Sequence, residues 1–349
     1  MAKEAQLTRH KRLDNKLKKR QSVFDNFVNR QDFYALIKYG PQALSTFLTK
    51  LRLDKTDRTK AAWSHTQKPP KSWGSIPAVQ SRWSYLISGD PEVDYYEYIS
   101  RKYLRNRNAL SALSLGCGTG HRELKWTKHG KFGTIDAYDI SQPRINEAAR
   151  KAAEQGYADI IHYYVGDIFK IEVHENSYDV VLGEQSLHHF SPLKQILSRV
   201  NRFLKPEGYF IVNEFVGPSR FQWSQRQLEI VNSLLSILPS KYKTLWNSSR
   251  VKPDVFRPSY LRMLLLDPSE AVESSRILPL LDEIFEVVEV KEYGGTILAL
   301  LLNGIAHNFS AQDTVAQQWL NICFTVEDLL LEAGEIQSDF AFVVCKKRA

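Results

Sequence analysis

Apolar and polar positions follow two different rhythms along the chain. Over residues 1–60, apolar side chains such as Phe24, Phe27, Phe33, Leu36 and Ile37 recur at mixed three- and four-residue spacing, which predicts helix. A break follows at Pro69-Pro70, Gly74 and Pro77, in a stretch that holds Trp63, Trp73 and Trp83. Asp94–Tyr103 predicts a helix carrying Tyr95, Tyr96, Tyr98 and Tyr103. Beyond it, short apolar runs predict strands at Ala109–Leu115, Thr134–Asp139, Ile160–Val165, Tyr178–Leu182 and Tyr209–Asn213, with helices at Gln142–Gln155 and Leu193–Phe203 between them. Strands that alternate with helices pack as an open, doubly wound, mostly parallel α/β sheet. A long helical stretch from about Arg220 to Glu283, a sixth strand at Phe285–Glu292, a second largely helical insert at Gly295–Ala333 and a seventh strand at Phe340–Lys346 complete the pattern. The expected organisation is an N-terminal helical or lid segment over 1–105, an α/β core over 106–219, a helical insertion over 220–283, and the final strands over 284–349 with a helical insert at 295–333.

Composition places the chain among ordinary globular proteins: 349 residues, 43% hydrophobic and 25% charged. No run reaches the roughly 18 apolar residues of a membrane span. Thr296–Ala306 comes nearest and is too short. Its segment Ile297–Leu302 has no polar face, so it reads as a buried helix, across the top of a site. The N-terminus is charged with no apolar stretch after it, unlike a secretory signal. Three widely spaced cysteines offer neither a disulfide framework nor a zinc pattern, so no metal-ligand set and a reduced, cytoplasmic setting are expected. Charge is uneven. Residues 1–105 hold 21 Lys and Arg against 10 Asp and Glu, the rest 26 against 29, for a net +8. The run Lys16, Lys18, Lys19, Arg20 reads as a solvated helix or tail, or as a patch for an anionic partner such as a phosphorylated glycan or lipid, a membrane surface or nucleic acid. No aromatic residue is interleaved with it, which disfavours nucleic acid.

Candidate chemistry lies at the carboxyl ends of consecutive predicted strands. The first runs into Gly116-Cys117-Gly118-Thr119-Gly120, where glycine lets the backbone turn tightly and lets a ligand approach the main chain. The second ends at Asp139-Ile140, nineteen residues after Gly120, where a carboxylate can accept from both hydroxyls of a ribose. The third ends in Gly166-Asp167-Ile168, an acid for an exocyclic amine beside an apolar cover for a ring. On the loop alone a dinucleotide dehydrogenase competes. The two later sites disfavour it.

Taken together, Leu113–Gly120, Tyr138–Ser141, Gly166–Ile168, Tyr178–Val181 with Leu187–Phe190, and Leu204–Gly208 resemble the motifs of the class I S-adenosylmethionine-dependent methyltransferases. The resemblance implies a Rossmann-like fold. It implies S-adenosylmethionine held by Gly116, Cys117, Gly118, Gly120, Asp139, Ile140, Asp167 and Ile168, with Glu184 beside the methionine half. The family's acid two residues before the first glycine is Ser114 here, which moves its task to Glu123 or Glu184. Methyl transfer is an in-line displacement, so the enzyme aligns the reactants and removes a proton. Glu184, His188, His189 and Glu214, at the ends of strands four and five, are the candidate catalytic groups. The adjacent histidines are expected to point apart, one facing the acceptor or capping the next helix and the other packing, or both to hold the loop. Glu214 is expected over the pocket, as a base or an acceptor-binding carboxylate, or else as an ion-pair partner of a basic residue in the N-terminal segment. Phe221 and Trp223 wall the pocket or anchor the insertion. The aromatic residues from Trp73 to Tyr98 form a lid or a core. The loop Glu184–Leu187 lacks the Asn/Asp-Pro-Pro-aromatic motif of base-methylating enzymes, and no cysteine lies near strands four or five, so a small-molecule or glycan- or lipid-linked acceptor is expected. An RNA or protein methyltransferase docking through the basic segment, and a catalytically silent cofactor-binding scaffold, are the alternatives. The acceptor atom and the oligomeric state are not specified by these motifs.

Overall fold

In the computed structural model, residues 71–348 are described, apart from 262 and 264–267. The expected helices of residues 1–60, the basic run and Trp63 lie outside these residues. Helix α1 (Pro77–Ser88) begins with proline and ends at Gly89 in the left-handed conformation, and Asp94 caps α2 (Tyr95–Lys102) by accepting from the Glu97 N–H. The core then runs β1 (Leu110–Leu115), α3 (His121–Thr127), β2 (Phe132–Asp139), α4 (Gln142–Glu154), β3 (Ile161–Val165), β4 (Tyr178–Glu184), α5 (Leu193–Phe203) and β5 (Leu204–Phe215). After it come α6 (Gln225–Ile237), α7 (Ser240–Lys243), α8 (Ile277–Ile284), β6 (Glu286–Glu292), α9 (Leu298–Leu302), α10 (Thr314–Glu332) and β7 (Phe340–Lys346).

The seven strands form one sheet in the order β3-β2-β1-β4-β5-β7-β6. β1 to β5 are parallel to one another, and β7 runs antiparallel to both β5 and β6. Chain order reverses between β1 and β4, and the crevice at such a switch point is where open α/β sheets bind ligands. Successive strand residues face opposite ways, so both faces are buried. Ala112, Val180, Ile211 and Val344 pack on one face with Trp126 and Ile135. Leu113, Val181, Val212 and Val343 pack on the other with Leu197, Phe210 and Phe285. β5 starts earlier than expected because Leu204 pairs with Tyr178 and Tyr209 with Val180, with the Lys205–Gly208 turn bulging between them.

The insertion departs most from expectation. Its helix stops at Lys243. Thr244 bridges Val251, and 252–259 is non-helical, since Pro253 and Pro258 lack the N–H a helix needs. Ile297–Leu302 is buried as expected, but in a third core with α1, α6 and α10 rather than across the site. The Lys252 ammonium donates to Leu300 O, Leu301 O and Asn303 O, satisfying the end of α9. Among the described residues no helix is long and apolar enough to cross a membrane.

Candidate functional site

The loop after β1 is tied down from below. The Gly116 and Cys117 N–H groups both donate to Tyr138 O, at 2.8 and 3.0 Å. Gly116, Gly118 and Gly120 have φ of 70°, 57° and 76°, values that cost L-residues energy. A Cβ on Gly116 would lie 2.8 Å from the Ser186 Cβ, and one on Gly120 would collide with the Tyr163 hydroxyl. Above Gly118 the space is open except for Arg144 Nη1 at 3.4 Å. The Cys117 side chain turns into the core, where burial raises its pKa, so only its main chain is available to a ligand.

Asp139 joins this loop to the next helix. Its Oδ2 accepts from the Gly118 N–H at 3.0 Å and its Oδ1 from the Ser141 N–H at 2.8 Å. Asp167 Oδ1 accepts from the Phe169 N–H at 3.0 Å. Gly116, Asp139, Ile140, Asp167 and Ile168 all line one cavity of about 250 Å³. Two acceptor carboxylates beside Ile140, Ile168 and Phe169 suit a ligand with a diol at one end and a flat, amine-bearing ring at the other.

A second cavity, of about 950 Å³, opens on the other side of Gln185, which lines both. Its walls include Trp73, Trp83, Tyr95, Tyr96 and Tyr293, so part of the aromatic segment is lining and part is core: Tyr96 is also buried among Ile99 and Trp126. Tyr98 does not line the cavity: its ring packs against that core and its hydroxyl donates to Glu289 on edge strand β6. Arg122 reaches into this cavity with no hydrogen bond to a described residue. Burial opposes its charge, and nearby Tyr95 and Glu184 favour it.

Four expectations about individual residues need correction. Glu184 lines neither cavity: it is buried, its Oε1 accepts from the Tyr95 hydroxyl at 2.5 Å and its Oε2 from Trp126 Nε1 at 2.9 Å. Glu214 does not stand over a pocket. It is fully buried, its Oε2 accepting from the Ser186 and Leu187 N–H groups at 2.7 Å and its Oε1 from the Phe215 N–H and His188 Nδ1. His188 and His189 do not diverge. They share a turn of 3₁₀ helix, their ring centroids 4.1 Å apart, and both approach Glu270. Of the two alternatives for Phe221 and Trp223, only walling the pocket fails: they stack on each other and line neither cavity, and Trp223 packs against the core that holds α6. Burial alone would depress the His188 pKa, and the Glu214 charge and hydrogen bond more than reverse this. Burial, with the His188 charge behind it, drives His189 well below its ordinary value. His189 lines the smaller cavity.

The acid missing at Ser114 arrives from α3. Ser114 Oγ donates to Glu123 Oε1 at 2.6 Å, while Glu123 Oε2 is buried without a partner. Burial pushes this carboxyl from about 4.5 up to about 7. Between those values the unfolded chain has lost the proton and the folded chain keeps it, so stability falls as pH rises through this window and levels off above it. Glu123→Gln is expected to flatten that fall, measured as urea midpoints at pH 5 and pH 8. Asp339, pushed up to about 7 by burial, leaves a residual slope of the same sign.

Sequence reasoning missed Arg122, Gln185 and Glu270. Arg122 follows the glycine loop directly and could have been flagged as a cation in the first turn of α3. Glu270 lies in the insertion, and no local pattern connects it to His188.

Residues 113–212 match the family model described as a methyltransferase domain. A sterol 24-C-methyltransferase of Gibberella zeae is 25% identical over 135 residues, 39% of this chain and 35% of that protein. A demethylmenaquinone methyltransferase of Symbiobacterium thermophilum is 27% identical over 138 residues, 39% of this chain and 54% of that protein. The chain thus spans about a third to a half of these relatives' length. A solved geranyl diphosphate C-methyltransferase from Streptomyces coelicolor A3(2) superposes with a TM-score of 0.47 at 12% identity, covering 85% of this chain and 99% of that one. With the motif-bearing loops of β1 to β4 inside the matched segment, residues 113–212 are a methyltransferase domain of the class I S-adenosylmethionine-dependent kind.

Proposed function

We propose that the protein transfers a methyl group from S-adenosylmethionine to a small-molecule acceptor, the adenosine half seated in the smaller cavity and the acceptor in the larger. The observation that carries this reading is Gln185, at the end of β4, as a shared wall of two cavities whose linings differ in the way donor and acceptor differ. The smaller has the carboxylates of Asp139 and Asp167 for ribose and adenine, and the larger has aromatic walls for an organic acceptor. Relatives named for a sterol and a menaquinone precursor support the acceptor class.

S-adenosylmethionine supplies a methyl on a sulfur that is already cationic, so its departure needs no acid. The residues bind and align. The Gly118 main chain gives close approach, Asp139 receives the ribose hydroxyls, Ile140 and Ile168 cover the ring, and Arg122 offers its guanidinium to the methionine carboxylate. Glu184 and Glu214 act as positioning residues: Glu184 holds Tyr95 at the acceptor cavity, and Glu214 holds the loop bearing both histidines.

The test is calorimetric binding of S-adenosylhomocysteine to the purified chain. Saturable one-to-one binding is expected, and its absence would overturn the reading. Arg122→Ala is expected to weaken that binding by about 10- to 100-fold, the range of one charge-assisted hydrogen bond of roughly 1.5–3 kcal/mol. An unchanged affinity would remove Arg122 from the cofactor site.

A further inference from the structure

The loop after β4 and the end of the insertion meet at three side chains with metal-ligand chemistry. Glu270 Oε1 lies 3.5 Å from His188 Nε2, and Glu270 Oε2 lies 4.0 Å from His189 Nδ1. One donor atom from each of the three lies within 4.8 Å of the others. Ligands about 2.0–2.1 Å from a tetrahedral centre stand roughly 3.3–3.4 Å apart, so this spacing needs only small side-chain rotations to close.

The surroundings favour ligation over a plain ion pair. Glu214, fully buried and anchored by three backbone N–H groups, takes the Nδ1 side of His188. That leaves Nε2 as the ring nitrogen turned toward Glu270. A carboxylate behind a histidine is the usual support of a metal-binding imidazole, orienting the ring and raising its basicity. Ser269 Oγ lies 3.3 Å from the same His189 Nδ1, so ligation there exchanges this contact for the metal. Both Ser269 and His189 border the smaller cavity.

We propose that His188, His189 and Glu270 bind a divalent transition-metal ion of the zinc, cobalt, manganese or iron(II) class. Two imidazoles and a carboxylate suit these ions better than calcium or magnesium, which prefer all-oxygen sets. Three protein ligands leave positions open for water, the pattern of an open rather than a closed structural site. Metal binding does not rest on the methyl-transfer reading.

The experiment is titration of the chelator-stripped full chain with Co²⁺ alone, followed by visible absorption and calorimetry. All three cysteines are buried, so a site of nitrogen and oxygen ligands shows d–d bands without the near-ultraviolet thiolate band. One equivalent per chain is expected. Glu270→Gln, which keeps the size and polarity of the side chain, is expected to weaken binding at least 100-fold, and His189→Gln likewise, each checked for folding by circular dichroism. No saturable Co²⁺ binding by the unmutated chain would overturn the proposal. So would equal affinity in a folded Glu270→Gln variant. Failure of S-adenosylhomocysteine binding with Co²⁺ binding intact would sink the methyl-transfer reading and leave the metal site standing.

Discussion

Asp139→Ala is expected to weaken S-adenosylhomocysteine binding by about 100-fold or more, with the fold intact. Two losses combine. The carboxylate is the acceptor for a ribose diol, and a hydrogen bond to a charged group contributes roughly 1.5–3 kcal/mol, so two such bonds reach the 100-fold range by themselves. The same carboxylate also shapes its own surroundings, its oxygens accepting from Gly118 N–H and Ser141 N–H. Removing it frees the glycine loop and takes an acceptor from the start of α4. Gly118→Val reaches a similar end by another route. The residue sits at φ 57° in otherwise open space, so a branched side chain strains the backbone and fills the volume the ligand needs. Asp139→Asn keeps an acceptor and the shape, and should lose less than Asp139→Ala. Calorimetry on all three variants checks this. Affinity within threefold of the unmutated chain in Asp139→Ala would mean the nucleoside lies elsewhere.

The donor side of this protein was legible because its parts are local. A strand, a glycine turn and a helix start lie within about a dozen residues, and the near-continuous apolar runs of β1 and β4, buried almost throughout, mark central parallel strands. The helix Leu193–Phe203 was read to the residue because its apolar positions repeat cleanly on one face. The insertion was read poorly because its apolar content served a third core, which helical periodicity cannot separate from an extended stretch punctuated by Pro253 and Pro258. The catalytic candidates failed for a physical reason too. Sequence showed that Glu214 ends an apolar strand but not that four N–H groups would close around it. It also showed two adjacent histidines but not the 3₁₀ turn that swings both rings to one side. Relocation of the missing acid is a further case. Ser114 and Glu123 are nine residues apart in sequence and become partners only through the packing of α3 on β1.

Glu214 carries the other large effect, and on stability rather than on turnover alone. Its carboxylate collects the N–H groups of Ser186, Leu187 and Phe215 and the Nδ1 of His188, all in the dry interior of the sheet. Glu214→Ala leaves these donors with no acceptor. Each orphaned buried group costs about 1–3 kcal/mol, and breaking a buried charged pair costs about 3–5 kcal/mol, so the total exceeds that of an ordinary core substitution. For a domain of 150–250 residues, 1 kcal/mol moves the unfolding midpoint by about 2–4 °C. A fall of about 10 °C or more is therefore expected in thermal unfolding followed by circular dichroism. Glu214→Gln retains one acceptor oxygen but turns a donor amide toward N–H groups, so it should fall between the two. A surface base would behave differently, with turnover lost at unchanged midpoint. A midpoint within 2 °C of the unmutated chain in Glu214→Ala would mean that the loop bearing His188 and His189 stands without this carboxylate, and Glu214 would return to the list of groups free to take a proton.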